Sequence, residues 1–262
     1  MQIKDILTVL EAVAPPHLQE SYDNAGLIVG HPEAEVTGVL FCLDSTEAVV
    51  REAVEKGCNL IVAHHPIVFR GLKRLNGTTY VERTVVQAIR NNVAIYAIHT
   101  NLDNVYRHGV NAKIAEKIEL LDTRILAPKS NLDVTIGAGL VGQLPSPMPE
   151  KEFLQHLKTS LRTQCVRHTA LLGKPVRTVA VCGGSGSFLL PEALRAGADA
   201  FVSADFKYHE FFDAEDKIIV ADVGHFESEQ FTIELLFEIV REKFHTFALH
   251  LTETNTNPVF YL

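Results

Sequence analysis

Polar side chains of the kinds that bind divalent metals follow three apolar runs of this sequence. The runs are 59–63, 92–98 and 218–223, and each is typical of a buried β-strand. The side chains that follow them are His64 and His65, then His99 and Asp103, and finally His225 and Glu229. Because ligands bind beyond the carboxyl ends of the strands in an open α/β sheet, we expect these three segments to converge on one pocket.

Two features of this set indicate a pair of metal ions. His64 and His65 are adjacent, and adjacent side chains of an extended strand point to opposite faces, so one ion would not easily take both imidazoles. His225 and Glu229 are four residues apart at the start of a predicted helix and therefore share one face. If Glu229 bridges two ions, each ion has three protein ligands and room for water, which is the open coordination of a catalytic site.

Each residue taken alone has a simpler interpretation. A histidine at a strand end is commonly hydrogen-bonded or exposed, and His225 with Glu229 would also form a favourable pair in the first turn of a helix. The combination favours metal binding, and the predicted ligands are His64, His65, Asp103, His225 and Glu229. A set of histidines and carboxylates without thiolate suits Zn, Fe, Mn or Ni, so the sequence leaves the metal open.

A glycine-rich segment lies between a predicted strand at 178–182 and a predicted helix at 189–196. Its backbone N–H groups would cradle a phosphate or another anion, which makes it a candidate substrate loop. The residues concerned are Gly183, Gly184, Ser185 and Gly186. A tight turn without a ligand is the alternative.

Two further polar segments adjoin predicted strands. The segment 203–210 would bring Asp205, Lys207 or Tyr208 into the same cleft, or would form a solvated loop in which Asp205 caps a helix. The segment 21–30 is typical of a turn that leads into a strand.

The order of the predicted elements is that of an α/β protein. Strands are predicted at 36–43, 59–63, 92–98, 136–144, 178–182, 200–203 and 218–223, and helices at 45–56, 80–91, 109–118, 151–161, 189–196 and 228–244. Pro145, Pro147 and Pro149 are expected to interrupt the chain after the strand at 136–144.

The length of the chain allows two lobes, and we place their boundary near 127–131. The first lobe then comprises 1–127 together with the C-terminal tail 245–262, and the second comprises 128–244. The predicted fold is thus two α/β lobes with a dinuclear metal site in the cleft between them.

Composition excludes some classes of function. The 262 residues contain 24 Lys and Arg against 32 Asp and Glu, a formal charge of -8, which argues against nucleic acid as the main partner. No apolar run approaches the roughly 20 residues of a membrane span. Four scattered cysteines are typical of buried thiols in a reducing compartment, and we therefore expect a cytoplasmic protein.

Seven motifs together resemble the GTP cyclohydrolase 1 type 2 homologues, also called the Nif-three-like dinuclear-metal hexameric proteins. The resemblance covers nearly the whole chain. Its motifs are Tyr22–Gly30, Ala63–Pro66, His99–Asp103, Gly183–Gly186, Asp205–His209, Gly224–Glu229 and Asn255–Pro258. The resemblance implies the same five ligands for two divalent ions, metals held between two lobes, and a toroidal homohexamer.

These features lead to the hypothesis of a metal-dependent hydrolase. A hydroxide shared by the two ions would attack carbon or phosphorus in a small molecule such as a nucleotide or phosphoester, and the family's name implies the imidazole ring of GTP. His99 or Tyr208 would assist proton transfer. The alternative is a non-catalytic metal-binding scaffold, a metal chaperone or a regulatory protein, which would turn over no substrate when loaded with metal.

Overall fold

The computed structural model describes residues 1–130 and 132–262 and has the mixed α/β architecture that the sequence predicts. The α-helices are α1 (Ile3–Val13), α2 (Glu47–Glu55), α3 (Tyr80–Arg90), α4 (Thr100–Asp103), α5 (Val110–Lys117), α6 (Glu150–Ser160), α7 (Leu190–Arg195), α8 (His225–Glu229) and α9 (Thr232–Lys243). The β-strands are β1 (Gly26–Val29), β2 (Val39–Cys42), β3 (Leu60–Ala63), β4 (Ala94–Ala97), β5 (Leu121–Pro128), β6 (Gly137–Met148), β7 (Arg167–His168), β8 (Val176–Ser185), β9 (Ala200–Ala204), β10 (Ile219–Asp222) and β11 (Leu249–Leu251). Short 3-10 helices lie at Pro16–Leu18, Ser187–Leu189 and Tyr208–Ala214. Within residues 1–130 and 132–262, every helix is too short or too polar to cross a membrane.

The chain forms two compact units, and each unit contains segments that are distant in sequence. The first unit comprises Met1–Leu102 and Thr232–Pro258, and the second comprises Asp103–Phe231 and Val259–Leu262. The predicted boundary near 127–131 lies instead inside the second unit, because β5 pairs with β6 and α5 packs against β8. Asn131, at the end of that predicted boundary, is outside the described residues.

Two features lie in a different unit from the one that the sequence predicted. Asp103, which was expected in the first lobe, is the first residue of the second unit. Helix α9, which was expected in the second lobe, belongs to the first unit because it packs against α1 and β2.

The sheet of the first unit positions its histidines. The strand order is β1-β4-β3-β2-β11, with β1 antiparallel to β4 and the other neighbours parallel. Every residue of β2, β3 and β4 is buried, as is usual for parallel strands covered on both faces. Because Ala63 pairs with Ala97, the carboxyl ends of β3 and β4 lie side by side, and His64, His65 and His99 follow within two residues.

Helices cover both faces of this sheet. Val49 of α2 and Val85 of α3 pack with Leu40 of β2 in one buried cluster. The neighbouring Phe41 points to the opposite face, since successive strand residues alternate, and its ring lies edge-on to Phe237 of α9 at a centroid distance of 5.9 Å. The strand ends that carry the histidines are therefore anchored in a core on each side.

Glu52 of α2 fastens the C-terminal segment to the first unit. Its carboxylate accepts hydrogen bonds from the hydroxyls of Thr252 (2.5 Å) and Thr254 (2.6 Å) and from the backbone N–H of Glu253 (2.7 Å). Burial alone would raise the pKa of Glu52, but these hydrogen bonds lower it to about 2. The carboxylate is therefore ionised at neutral pH and holds the chain that follows β11.

The sheet of the second unit has the order β5-β6-β8-β9-β10-β7, in which β8, β9 and β10 are parallel and the other pairs antiparallel. Ser185 pairs with Ala204, and Ser203 pairs with Asp222, so the three parallel strands end at the same edge. Helices α5 and α8 pack against β8. This edge carries the glycine-rich segment, Asp205 and His225.

Three predicted elements differ from the structure. Strand β8 continues past the predicted end at 182 and includes Gly183, Gly184 and Ser185, which were expected to follow the strand. Strand β6 continues through Pro145 and Pro147, because its pairing with β8 shifts register between Gln143 and Met148, where the missing N–H groups interrupt no regular ladder. The helix predicted at 228–244 is divided into α8 and α9.

All four cysteines are free thiols. Cys42, Cys58 and Cys182 are buried, as predicted, whereas Cys165 is exposed, and the prediction was wrong for that residue.

Candidate metal-binding clusters

His64, His65 and His99 form a compact cluster in the first unit. Their ring centroids are 4.9 Å apart for His64 and His65, 5.3 Å for His64 and His99, and 5.4 Å for His65 and His99. Each ring offers a nitrogen within 4.8 Å of a nitrogen from both others. The expectation that His64 and His65 point to opposite faces was wrong, because both residues lie beyond the end of β3. Three imidazoles at this spacing can hold a divalent ion after small side-chain movements.

One ring nitrogen of each of these histidines is held by an oxygen of the first unit. Nδ1 of His64 lies 2.8 Å from the backbone oxygen of Ile98, Nδ1 of His65 lies 2.7 Å from Asp44 Oδ1, and Nδ1 of His99 lies 2.8 Å from Asp23 Oδ1. A carbonyl or carboxylate oxygen accepts a hydrogen bond, so in its neutral form each imidazole carries its proton on Nδ1. A metal ion bound here would then coordinate Nε2, with the ring orientation fixed by the partner of Nδ1.

Asp23 is a buried carboxylate with four hydrogen-bond donors around it. Besides His99, it accepts hydrogen bonds from the N–H (3.0 Å) and hydroxyl (2.5 Å) of Thr100 and from the backbone N–H of Asn24 (2.7 Å). Burial would raise the pKa of Asp23, but the hydrogen bonds from His99 and Thr100 and the charge of His99 lower it to about 2. Asp23, in the segment 21–30 that was expected only to form a turn leading into a strand, thus positions a histidine 76 residues away.

Asp44 follows β2 at the same edge of the sheet and connects His65 to the C-terminal segment. Its second carboxylate oxygen accepts a hydrogen bond from the Thr256 hydroxyl at 2.8 Å. A cavity of about 430 Å³ opens beside His65, and its wall includes Asp44, Tyr80 and Thr256. A small molecule in this cavity would lie next to the His65 imidazole.

The candidate ligands of the second unit are Asp103, His225 and Glu229. His225 and Glu229 lie on α8, with His225 Nε2 at 3.1 Å from Glu229 Oε2, while His225 Nδ1 lies 2.8 Å from Asp205 Oδ2. Burial opposes a charge on His225, but Glu229 and Asp205 together raise its pKa to about 11. The field that stabilises a proton there also favours a divalent cation.

Asp205 therefore contributes to the second-unit cluster as the sequence allowed, through its contact with His225. The hydrogen bond from His225 and the positive charge of that ring lower the pKa of Asp205, although burial opposes the change. Tyr208 is largely exposed on its 3-10 helix, where its ring contacts His209 and Phe212. Its assignment to proton transfer stays a prediction.

The glycine-rich segment makes room for Glu229. A Cβ atom on Gly184 would overlap Glu229 Oε1, and one on Gly183 would lie 3.3 Å from Glu229 Cγ. Gly184 also has φ +59°, which favours glycine. These two residues thus allow β8 to approach the carboxylate closely.

Two backbone amides of this segment already have acceptors. Gly183 N–H donates to Asn111 Oδ1 at 2.9 Å, and Gly184 N–H donates to Ser228 Oγ at 2.9 Å. The anion-binding role predicted for this segment therefore rests on Ser185 and Gly186. Asn111 also donates to the backbone oxygen of Asp103 at 3.1 Å, and so connects this strand to a candidate ligand.

Cys182 lies beside these carboxylates but is a thiol. Its pKa is raised by burial and by the negative charges of Asp103 and Glu229. The described donors of this cluster are accordingly imidazole and carboxylate, as the sequence predicted.

The fold and these clusters define a two-unit α/β protein with histidine and carboxylate groups suited to divalent metals. The chain belongs to the Duf34/NIF3 (NGG1p interacting factor 3) family, whose model matches residues 1–258. This result confirms the family identified from the sequence motifs.

Individual relatives agree with this assignment. The chain is 32% identical over 263 residues to a Clostridium acetobutylicum protein named GTP cyclohydrolase 1 type 2 homolog, with 98% of each chain covered. It is 34% identical over 244 residues to a protein of the same name from Clostridium perfringens, covering 93% of this chain and 92% of the relative. A solved Bacillus cereus protein related to NIF3 has a TM-score of 0.93 and 25% identity, with 100% and 99% of the two chains covered.

Proposed function

We propose that this protein binds two divalent metal ions. The proposed ligands are His64, His65, Asp103, His225 and Glu229. The proposal is supported by one observation above all: in His64, His65 and His225, Nδ1 is held by a carbonyl or carboxylate oxygen, which orients the ring so that Nε2 is the atom a metal ion would bind. In His225, the ion would take the place of the contact between Nε2 and Glu229 Oε2.

The donor set fits a catalytic metal pair of Zn, Fe, Mn or Ni. It combines imidazoles, which suit Zn, Fe and Ni, with carboxylates, which suit Mn and Fe. Glu229 is the proposed bridging ligand, because its side chain is 4% exposed and lies against His225 on the same helix. Asp44 and Asp205 orient two of the imidazoles and add negative charge close to the cations.

We further propose a metal-dependent hydrolase that acts on a nucleotide or another phosphoester, in keeping with the name of its relatives. Bound divalent ions would lower the pKa of a water molecule and polarise the substrate. The cavity beside His65 offers space for the substrate next to one predicted ligand. His99 or Tyr208 is the proposed site of proton transfer.

Metal analysis followed by turnover assays tests this function. Protein purified without chelator and saturated with each metal should contain two ions per chain, and it should hydrolyse a member of a nucleotide and phosphoester panel. Glu229→Ala should lose both ions and all turnover, while Glu242→Gln, an exposed site on α9, should retain both. Metal binding without any turnover would overturn the hydrolase and support the scaffold or chaperone instead.

The assembly and location implied by the resemblance are part of the proposal. A toroidal homohexamer should scatter light as about six chains of 29.0 kDa. A monomer at micromolar concentration would contradict it. The three buried thiols support a reducing compartment such as the cytoplasm.

A further inference from the structure

We propose that His99 is a metal ligand in the same sense as His64 and His65, and not only a proton donor or acceptor. The inference rests on the proposed metal-binding function and adds a sixth protein ligand to it. The first unit would then supply three imidazoles to the metal centre.

Position supports this assignment. His99 offers a ring nitrogen within 4.8 Å of nitrogens from both His64 and His65. Nitrogen ligands at about 2.0–2.1 Å from one tetrahedral zinc lie about 3.4 Å apart, so movements of roughly 1 Å bring His99 into the shell of an ion held by either neighbour. The His99 ring is edge-on to both neighbouring rings, with interplanar angles of 74° and 85°. Its side chain is only 17% exposed.

The orientation of the His99 ring is a second, independent argument that His99 is a metal ligand. Asp23 holds Nδ1 of His99 as Asp44 holds Nδ1 of His65, in the arrangement of carboxylate, histidine and metal that is common around protein-bound zinc. Thr100 in turn fixes Asp23 with two hydrogen bonds. The ring of His99 is therefore held on its Nδ1 side by a buried anion, with Nε2 left for an ion.

A third imidazole changes the metal preference of the centre. It adds a neutral nitrogen donor without adding negative charge, so the ligand set favours ions with high affinity for imidazole, such as Zn²⁺, Co²⁺ and Ni²⁺, over Mg²⁺ and Mn²⁺. The predicted selectivity is therefore for the nitrogen-preferring divalent ions.

Metal titration of the full chain tests the assignment. Zn²⁺ affinity is measured by chelator competition, and the Co²⁺ absorption spectrum reports the number and type of ligands. His99→Ala should weaken binding of one ion by at least the 10–100-fold typical of lost supporting contacts, and it should change the Co²⁺ spectrum. Asp23→Asn should weaken the same ion by about 10–100-fold. His245→Gln, which changes an exposed histidine, is the matched control.

The outcomes separate the inference from the proposed function. If the wild-type chain binds no divalent ion tightly, the proposed function fails. If the wild type binds two ions and His99→Ala binds both with unchanged affinity and spectrum, only the inference is overturned, and a variant that then loses turnover identifies His99 as a proton-transfer group. His99→Gln keeps a side chain that can bond to Asp23, so the same titration on this variant decides the matter if His99→Ala does not fold.

Discussion

The two units position their candidate ligands by different means. In the first unit, histidines follow buried parallel strands, and their Nδ1 atoms are held by Ile98, Asp44 and Asp23. In the second unit, His225 and Glu229 share the five-residue helix α8, and His225 carries a charge between two carboxylates. The geometry of the first cluster depends on the sheet. The geometry of the second depends on a short helix and on two glycines whose lack of side chains leaves space for Glu229.

The two clusters therefore place different demands on the backbone around them. Side chains at the ends of buried strands can be oriented by single hydrogen bonds because the backbone beneath them is already fixed. A carboxylate and an imidazole on one turn of helix need an opposing surface without side chains, and Gly183 and Gly184 provide it. We therefore expect backbone substitutions to damage the second cluster most, and substitutions of supporting carboxylates to affect both.

Gly184→Ala should have the largest effect. The added methyl group overlaps Glu229 Oε1 and occupies a left-handed backbone position, so we expect a loss of about 2–4 kcal/mol in the free energy of unfolding and weaker metal binding. Urea denaturation and metal titration measure the two effects. Gly173→Ala is the control, because φ there is +74° but nothing lies within 4 Å, and left-handed strain alone costs about 1–2 kcal/mol. Equal losses in the two variants would show that Glu229 does not need the glycine.

Removal of a supporting carboxylate should be the next largest effect. Asp205→Asn withdraws a negative charge from the charged His225, which lies between two carboxylates, whereas Asp44→Asn leaves an amide oxygen that can still accept a hydrogen bond from His65 Nδ1. We expect a 10–100-fold loss of metal affinity for Asp205→Asn and about 10-fold for Asp44→Asn. Isothermal titration with Zn²⁺ measures both, with the exposed Asp213→Asn as control. A larger loss for Asp44→Asn would contradict the proposal that the negative charge beside His225 matters more than the hydrogen bond beside His65.

Acid should weaken the first unit through Glu52. Its pKa is about 2 in the folded chain against an ordinary value of 4.5, so its contribution is fully present above about pH 5 and disappears as the pH falls toward 2. We expect Glu52→Gln to destabilise the protein by about 2 kcal/mol at pH 7 and to reduce the loss of stability between pH 5 and 3. Thermal unfolding across this range measures both effects, with Glu55→Gln on the same helix as control. A wild-type loss unchanged by Glu52→Gln would assign the acid sensitivity to other groups.

Thiol reactivity should show the smallest difference between the units. Cys42 and Cys58 of the first unit and Cys182 of the second are buried, whereas Cys165 is exposed. A thiol reagent should therefore modify one cysteine rapidly in the native protein and four after denaturation. Cys165→Ser should abolish the rapid phase of modification. If a cysteine of that variant still reacted rapidly, one of the three buried thiols would be accessible to the reagent in the native protein.

The sequence predicted the parts of this molecule whose signal is local. Strands β2, β3 and β4 are continuous apolar runs, and the polar residues at the ends of β3 and β4 follow directly in sequence. Asp23 and Asp44 were not assigned a role, because their contacts with His99 and His65 span 76 and 21 residues and depend on strand order. A carboxylate just beyond β2 was the available signal for Asp44, since β2 ends at the same edge as β3.

The remaining errors have related causes. Strand β5 is largely exposed and only two of its residues are buried, so its apolar pattern is weak, and its pairing with β6 makes it a strand. The glycine-rich segment matched the composition of an anion loop, but Asn111 and Ser228, which take up two of its amides, lie 72 and 44 residues away. Composition alone does not distinguish room for a ligand from room for a side chain of the same chain.

The position of β11 affects the order in which the chain can fold during synthesis. β11 is the edge strand beside β2, and α9 covers the same sheet, yet both leave the ribosome after the whole of Asp103–Phe231. Domains generally fold as units during synthesis, the N-terminal one first. Here the first unit must wait for its last two elements, while Asp103–Phe231, which contains all six strands of the second sheet, has already been synthesised, so translation favours the reverse order.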